Sequence, residues 1–381
     1  MYYSFDKEKA KIMKIRRGRK IDFEDVLIVP RESKLNSRSE VNLNVEYLMV
    51  NSGRIWKGIP IIASNMDTVG TIEVYNEFKK YNMCCALHKF YDSETLVRFF
   101  NGLENNDNEY VFYTMGITEN DIQKYNYVKN KTGSEKIVNV CIDVANGYMD
   151  KFLKFVDNFR KENKMVNLMA GNVVTPEACL KLIDVGVDII KIGIGNGSVC
   201  TTRKITGVGY PQLSSLIECS VAVHEKNGFI CNDGGIKDPG DFGKAFGAGS
   251  DFVVAGGIFS GHDENIGNDK SKIIVKRFLT NELDENGNLK IEEKKYLQFY
   301  GMSSDTAMNK YYGFVADYRA SEGETILVPY KGRIENTIKE ILGGLRSTCT
   351  YVGAKKLSEL SNRVEFVKVN RILNGKFKFN P

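Results

Sequence analysis

The sequence predicts an α/β fold built as a closed (β/α)8 TIM barrel, on three observations. Eight short apolar runs of strand length recur between residues 59 and 257, and helix-like segments separate most of them. The runs are almost continuously apolar rather than alternating, as in strands that are buried on both faces. Two intervening segments begin with proline and end near glycine, as helices do. A closed barrel fits the count better than an open sheet, which the count alone does not exclude.

Each predicted strand is followed by glycine, asparagine or aspartate, which predicts a turn before the next helix. The two proline-led helices are predicted at 176–187 and 239–250. The predicted strands, in chain order, are 59–65, 83–88, 110–116, 137–143, 166–172, 189–195, 229–235 and 251–257.

Segments outside this rhythm predict how the chain is divided. We expect an N-terminal arm (1–20), one barrel domain (21–367) and a C-terminal tail (368–381). Within the barrel domain, the charged segment 263–298 predicts a surface insertion with a small hairpin, and 299–330 predicts a mobile flap.

Composition indicates a globular protein of the cytoplasm. The 381 residues are 42% hydrophobic and 27% charged, which is enough to bury a sizeable core. The net charge of +5 is small and the lysines are spread along the chain, so nucleic acid is not indicated as a partner. The basic run 14–20 is expected to be solvated, with nuclear targeting or phosphate binding as alternatives. We expect no membrane span and no signal peptide, because no apolar stretch has the required length or position.

The eight cysteines have no metal-like spacing, and without a secretion signal we expect reduced thiols. Cys84 and Cys85 lie in an apolar run and are predicted to be in the core. Three histidines offer few ligands for a histidine-rich metal site, so a metalloenzyme is not indicated.

Polar side chains at the ends of several predicted strands predict one functional face. Taken singly, each is explained as well by a helix cap or a turn. Jointly they mark the carboxyl ends of the strands, where barrels carry their chemistry. They are Asn65, Asp67, His88, Lys89, Asp143, Asn146, Asn172 and Asp233.

The glycine-rich segment 193–215 contains a candidate nucleophile, Cys200. Glycines at 193, 195 and 197 allow a tight turn that brings backbone groups close to a ligand. Arg203 can lower the pKa of the thiol and favour the nucleophilic thiolate. The alternative is a buried cysteine in a glycine-rich turn. A dinucleotide-binding fingerprint is excluded, because the third glycine is not at the required spacing.

Two glycine pairs, 234–235 and 256–257, close the last two predicted strands. Consecutive glycines expose backbone N–H groups where barrels commonly hold a phosphate. A tight turn explains either pair alone, whereas both together favour a phosphate. Further along, Glu322 can act as an acid or base on a mobile loop, and Arg319 can contact a phosphate or a purine edge. Surface charge is the alternative for both.

Longer motifs resemble the IMP dehydrogenase and GMP reductase family, and the likeness is collinear over about 21–367. The motifs shared with the whole family lie at 22–30, 64–71, 197–213, 233–253 and 300–304. Those that resemble the GMP reductase branch lie at 262–264, 299–311, 318–332 and 342–354.

Two departures from the family pattern favour that branch. IMP dehydrogenases usually carry regulatory CBS domains after the second barrel strand, whereas here only a short stretch separates Lys89 from the third predicted strand. They also activate water with an Arg-Tyr pair on the flap. The corresponding region here has Lys310 before Tyr311, so the pair is missing.

The resemblance implies NADPH-dependent reductive deamination of GMP to IMP and ammonia. Cys200 is expected to attack purine C2 and form a covalent thioimidate, while Thr202 and Glu322 help to protonate the leaving amine. Asp143 and Lys89 are expected to orient the amine or the nicotinamide. The nearest alternative is an IMP dehydrogenase that lacks CBS domains and forms XMP with NAD. A non-catalytic purine-nucleotide-binding barrel is the alternative of another class.

The resemblance also implies a homotetramer and three sets of contacts. Nucleotide contacts are expected at Ser198, Asp233, Gly234, Gly235, Gly256, Gly257, Gly301, Met302, Ser303, Arg319, Ala320, Ser321 and Gly323. Cofactor contacts are expected at Ser37, Arg38, Lys89, Asp143, Val144, Ala145, Ile194, Gly195, Met302, Tyr318, Arg319, Ser347, Thr348, Cys349 and Thr350. A monovalent cation such as potassium is expected at Gly195, Gly197, Cys200 and Arg203.

Overall fold

A hairpin ahead of the barrel closes its N-terminal end. The computed structural model describes residues 15–16, 18–104, 106–283, 285, 287–314 and 320–370. The first strands of this described chain are β1 (Val26–Ile28), β2 (Val45–Leu48) and β3 (Ile55–Gly58). β2 and β3 form the antiparallel hairpin. Its Tyr47 and Trp56 rings lie 5.4 and 5.0 Å from the ring of Phe252, which begins a barrel strand.

The eight predicted runs form one closed parallel barrel within the described ranges, which confirms the predicted fold class. Each strand pairs with the next one along the chain, and the last pairs with the first. Nearly all their side chains are buried, because one face fills the barrel and the other lies under the helices. The strands are β4 (Ile61–Ala63), β5 (Cys84–Leu87), β6 (Val111–Met115), β7 (Asn139–Asp143), β8 (Asn167–Val173), β9 (Ile189–Ile192), β10 (Phe229–Asp233) and β11 (Phe252–Ala255).

A helix follows each barrel strand, and the two proline-led helices begin at Pro176 and Pro239 as predicted. None of the helices in the described ranges combines the length and apolar composition needed to cross a bilayer. The helices are α1 (Ile72–Phe78), α2 (Ser93–Asn101), α3 (Glu119–Thr132), α4 (Asp150–Glu162), α5 (Pro176–Asp184), α6 (Thr202–Thr206), α7 (Gln212–His224), α8 (Pro239–Gly247), α9 (Asp263–Ile266), α10 (Asp305–Tyr312) and α11 (Ile334–Val352).

A second sheet lies outside the barrel, and it contains the hairpin predicted for the insertion. β12 (Ile274–Leu283) pairs with β13 (Leu289–Tyr300), and β13 pairs with β14 (Thr325–Pro329). The insertion differs from its prediction at its start, because α9 carries the buried Asn265 and Ile266 and packs on α1 instead of lying on the surface.

The end of the chain returns to β1, the strand that precedes the barrel. α11 begins beside the loop that follows β11, where the Ile334 N–H donates to Glu264 Oε2 at 2.9 Å. Its 19 residues span roughly 28 Å. Beyond it, β15 (Phe366–Lys368) pairs with β1, so the predicted tail begins as a paired strand. Residues 371–381 of that tail and residues 1–14 of the predicted arm lie outside the described residues.

Candidate active site

A cavity of about 480 Å³ lies at the carboxyl ends of the barrel strands. Its walls come from all eight strand ends and from the segment between β13 and β14. Most of the predicted site residues line it. They are Lys89, Asp143, Val144, Ala145, Ile194, Gly195, Gly197, Ser198, Cys200, Thr202, Asp233, Gly234, Gly235, Gly256, Gly257, Gly301, Met302, Ser303 and Glu322.

Cys200 is the candidate nucleophile that reaches this cavity. All eight cysteines lie in the described residues and are free, and the other seven are buried. Cys200 stands at the end of the glycine turn after β9, where Gly193 and Gly195 have φ angles of 156° and 81°. Other residues rarely adopt such angles, so the turn needs glycine to bring Cys200 over the barrel mouth. The alternative of a buried cysteine is therefore wrong.

A hydrogen-bonded chain joins Cys200 to a carboxylate. Cys200 Sγ lies 3.2 Å from Thr202 Oγ1, and the Thr202 hydroxyl donates to Glu322 Oε2 at 2.8 Å. Thr202 and Glu322 are 120 residues apart in the sequence. The threonine hydroxyl can thus pass a proton between a group at the sulfur and the carboxylate.

Backbone contacts hold Glu322 in this position. Its carbonyl accepts from the Thr201 N–H at 3.0 Å, and its own N–H donates to the Ser303 carbonyl at 3.2 Å. The next residue, Gly323, bridges to both Cys200 and Ser304. The Glu322 loop is therefore fastened to the cysteine turn on one side and to the start of α10 on the other.

Arg203 contacts a carboxylate rather than the thiol. Its Nη1 lies 3.0 Å from Asp22 Oδ2, and its Nη2 donates to the Tyr210 carbonyl at 2.7 Å. Its aliphatic stem packs on Gly195, where an added Cβ would lie 2.6 Å from Arg203 Cγ. The guanidinium braces the turn, and these contacts give no support to its predicted effect on the Cys200 thiol.

The predicted phosphate loops converge on the same turn. Gly234 and Gly235 have φ angles of 96° and 80°. An added Cβ at Gly257 would lie 2.7 Å from Ser198 Oγ, and one at Gly256 would lie 3.0 Å from Met66 Sδ. Gly234 and Gly257 thus bring the loops after β10 and β11 close to the cysteine turn, and both loops leave backbone facing the cavity.

A buried lysine at the cavity floor was missed by the sequence analysis. Lys191 Nζ lies 2.7 Å from Asp143 Oδ1 and 3.0 Å from Asp233 Oδ2, and the lysine side chain is 2% exposed. Burial by itself would lower the pKa of Lys191, but the two carboxylates raise it well above its ordinary value. Burial would likewise raise the pKa of Asp143, yet Lys191 and Asn65 lower it below its ordinary value. The sequence feature that could have indicated this group is a lysine inside an otherwise apolar strand.

A second group, whose mutual contacts were not predicted from the sequence, surrounds Asp67 and fixes α10 to the barrel. Asp67 Oδ2 accepts from the Tyr300 hydroxyl at 2.5 Å, from Lys310 Nζ at 2.7 Å and from the Tyr311 hydroxyl. The Tyr311 ring also stacks on Phe90, with centroids 3.5 Å apart. Burial would raise the pKa of Asp67, but these three donors lower it. α10 is thereby held where Met308 and Tyr312 reach the cavity.

One set of predicted cofactor residues lies in the outer layer of helices, beside α8, and does not line the cavity. Ser37 and Arg38 lie beside the last turns of α11, which carry Ser347, Thr348, Cys349 and Thr350. Cys349 is fully buried, and burial raises its pKa to about 12, so its side chain is not available to a ligand. These residues therefore do not reach the cavity of their own chain. The predicted Tyr318 and Arg319 lie outside the described residues, and Ala320 is exposed beside them.

Comparison of the sequence with known proteins finds one matching family model and relatives that share one name. A family model described as the IMP dehydrogenase / GMP reductase domain matches residues 20–372. The chain is 48% identical to GMP reductase 2 of Homo sapiens over 360 residues, 94% of this chain and 97% of that protein. It is 45% identical to the GMP reductase of Caenorhabditis elegans over 358 residues, with 94% of each covered. It is also 45% identical to the GMP reductase of Escherichia coli O81 (strain ED1a) over 367 residues, 95% of this chain and 100% of that protein.

Proposed function

The chain belongs to the IMP dehydrogenase / GMP reductase family, and from this we propose that it catalyses the NADPH-dependent reductive deamination of GMP to IMP and ammonia. The observation that carries the proposal is the chain of contacts from Cys200 through Thr202 to Glu322 at the mouth of the cavity. A barrel that only binds nucleotides has no need of this arrangement.

Cys200 supplies the nucleophile. Its thiolate adds to C2 of the guanine base, and the bond from C2 to the exocyclic amine then breaks to leave a thioimidate. Covalent capture divides one difficult substitution into two easier steps. The loops at Gly234–Gly235 and Gly256–Gly257 support binding of the nucleotide phosphate beside the cysteine turn, because they present backbone where side chains would block it.

Thr202 and Glu322 deliver a proton to the departing amine. An amine leaves poorly unless it is protonated, and the Thr202 hydroxyl lies between the sulfur and the Glu322 carboxylate. A proton held at Glu322 can reach the nitrogen through Thr202, so that ammonia leaves as a neutral molecule. Loss of this proton leaves Glu322 as a carboxylate, and a proton from solvent restores the acid for the next turnover.

The residues at the cavity fit a nicotinamide cofactor on one side of the cysteine. Lys89, Asp143, Val144 and Ala145 line that side, and Asp143 keeps its charge beside Lys191. NADPH held there would supply a hydride to purine C2, after which the C–S bond breaks and Cys200 recovers its thiolate. Lys89 and Asp143 orient the carboxamide or the amine. Preference for NADPH over NADH rests on the likeness to the reductase branch alone.

Tethering of α10 favours reduction over hydrolysis. Lys310 and Tyr311 both donate to Asp67 and point away from the cavity. Neither is among the described residues that line the cavity. Neither side chain is placed to activate a water molecule against the thioimidate. The covalent intermediate then persists until the hydride arrives.

Potassium and a homotetramer complete the proposal. Backbone carbonyl oxygens suit potassium, and the family resemblance assigns to it those near Gly195, Gly197 and Cys200, in the turn that Arg203 braces. The Gly197 carbonyl accepts from the Cys200 N–H at 3.1 Å and keeps a second lone pair. An assembly of at least two copies is supported by the cofactor set around Ser37 and Ser347, which does not line the cavity of its own chain and would reach a cofactor there from another copy. That the assembly is a homotetramer rests on the family resemblance.

Purified protein mixed with GMP and NADPH tests the proposal. We expect NADPH absorbance to fall with GMP present, and IMP and ammonia to form in equal amounts. Formation of XMP from IMP and NAD, with no use of NADPH, would instead establish an IMP dehydrogenase without CBS domains. Binding of GMP without either reaction would establish a non-catalytic barrel. Replacing potassium by a bulky organic cation should slow the reaction if the turn binds the metal.

A further inference from the structure

We propose that Lys191 is a positioning residue that holds the nucleotide-side carboxylate Asp233 and the cofactor-side carboxylate Asp143 in register across the cavity. One ammonium bridges them, with Nζ 2.7 Å from Asp143 Oδ1 and 3.0 Å from Asp233 Oδ2. The proposal rests on the function proposed above, because it concerns the same two binding subsites.

The barrel is built to hold this lysine at the cavity floor. Lys191 lies in the middle of β9, and the neighbouring strand β8 carries Gly171 beside it. A Cβ added at Gly171 would lie 2.6 Å from Lys191 Cβ. The glycine therefore leaves the space that the stem of the lysine needs. A charged group with 2% side-chain exposure is expensive to bury unless it is paired, and both of its partners here are site residues.

Two amides complete the arrangement on either side. Asn65 donates to Asp143 Oδ2 at 2.9 Å, and Asn172 donates to Asp233 Oδ2 at 2.7 Å. Each carboxylate is thus held by Lys191 and by one amide. The Asn172 Oδ1 atom is buried at the cavity without a partner among the described residues, so it can accept a hydrogen bond from a ligand.

This geometry has a chemical purpose in a two-substrate reaction. Hydride transfer needs the donor carbon and purine C2 within about 3–3.5 Å, so both ligands must be placed against one rigid reference. Two carboxylates fixed by a single cation provide one. Other charged or titratable groups near Asp143 are Lys89 on the loop after β5 and Cys141 on β7, with Asp233 beyond Lys191.

The positioning role of Lys191 is tested with two variants, Lys191→Met and Lys191→Arg, and with the matched control Lys244→Met. Lys244 is also a buried lysine, with Nζ 3.2 Å from Asp241 Oδ1 and 2.9 Å from the Phe23 carbonyl, but it does not line the cavity. The measurements are kcat/KM for GMP and NADPH against pH, GMP binding by calorimetry without cofactor, and Tm.

For Lys191→Met we expect kcat/KM to fall by about 10- to 100-fold, the range seen when partners that orient functional side chains are removed. The acid limb of the profile should move to higher pH, because Asp143 loses the cation that keeps its pKa low. Lys191→Arg should restore the acid limb. Lys244→Met should lower Tm and leave the limb in place. A wild-type profile in Lys191→Met, or an equal shift in Lys244→Met, overturns the proposal.

Two further measurements separate the possible failures. If Lys191→Met does not fold, the double variant with Asp143→Asn removes one of the uncompensated carboxylates. Compared with Asp143→Asn alone it should bind GMP more weakly, because Asp233 is the carboxylate that Lys191 still holds in that variant. Equal GMP binding in the two variants would refute the proposal. If the wild-type protein does not oxidise NADPH with GMP, the proposed function fails. The positioning role of Lys191 is then tested by GMP binding, which should weaken in Lys191→Met and recover in Lys191→Arg.

Discussion

Replacing Asp67 by asparagine is expected to release α10 from the barrel. The Asp67 side chain is 1% exposed and accepts hydrogen bonds from Lys310 and Tyr311 of that helix. The amide of asparagine keeps the shape but removes the negative charge. α10 also carries Met308 and Tyr312 to the cavity, so the change should reach the active site.

The size of the effect follows from the two contacts. A hydrogen bond from Tyr311 to a buried carboxylate contributes about 1.5–3 kcal/mol. Lys310 is 50% exposed, so its ion pair is discounted to the range of a surface pair, about 0–1 kcal/mol. Together the loss is about 1.5–4 kcal/mol, or roughly 10- to 1000-fold in the equilibrium between docked and released helix.

Amide hydrogen exchange of peptides covering α10 measures this opening directly. Exchange in α10 should accelerate by that factor, while peptides from α4, on another part of the barrel, should not change. Tyr300→Phe is the matched control, because it removes a 2.5 Å hydrogen bond to the same carboxylate from β13 instead of α10. Unchanged α10 exchange in Asp67→Asn, or equal acceleration in every helix, would refute the reasoning.

Further predictions concern the catalytic chain and pH. Cys200→Ser should abolish turnover and leave GMP binding nearly intact, as followed by calorimetry beside the NADPH assay; turnover at the wild-type rate would exclude the covalent mechanism. Thr202→Ala and Glu322→Gln should slow ammonia release more than hydride transfer to NADP from IMP in the reverse half-reaction, and equal slowing in rapid-mixing experiments would indicate a structural role. Because the pKa of Asp67 is lowered in the fold, its contribution to docking should be complete above the ordinary carboxyl value of about 4 and be lost as pH falls below it. Exchange of α10, corrected for intrinsic rates, should then rise at acid pH in the wild-type protein and change little in Asp67→Asn.

The barrel itself could be predicted because its signal is local. Strands buried on both faces need continuous apolar residues, and the turns after them need glycine, asparagine or aspartate. Each strand-turn-helix unit can therefore be recognised from a short stretch of sequence. The same holds for the cysteine turn, since φ angles of 156° at Gly193 and 81° at Gly195 require glycine. The eight strands followed from patterns of this kind, which also made Cys200 and Glu322 candidates. The family resemblance added Thr202 and joined the three in one mechanism.

Pairing between charges was decided by the tertiary structure, because closure of the barrel brings together residues that are far apart in the sequence. Proximity along the chain predicted Arg203 as a partner for Cys200, yet the carboxylate that it contacts is Asp22 of the N-terminal segment. Lys191 looked like one polar residue in a strand, and only the neighbouring strands show that two carboxylates share it. Sequence determined which residues are apolar, flexible or reactive. Only the fold determined which charges meet, since Coulomb interactions and hydrogen bonds depend on distance in space rather than along the chain.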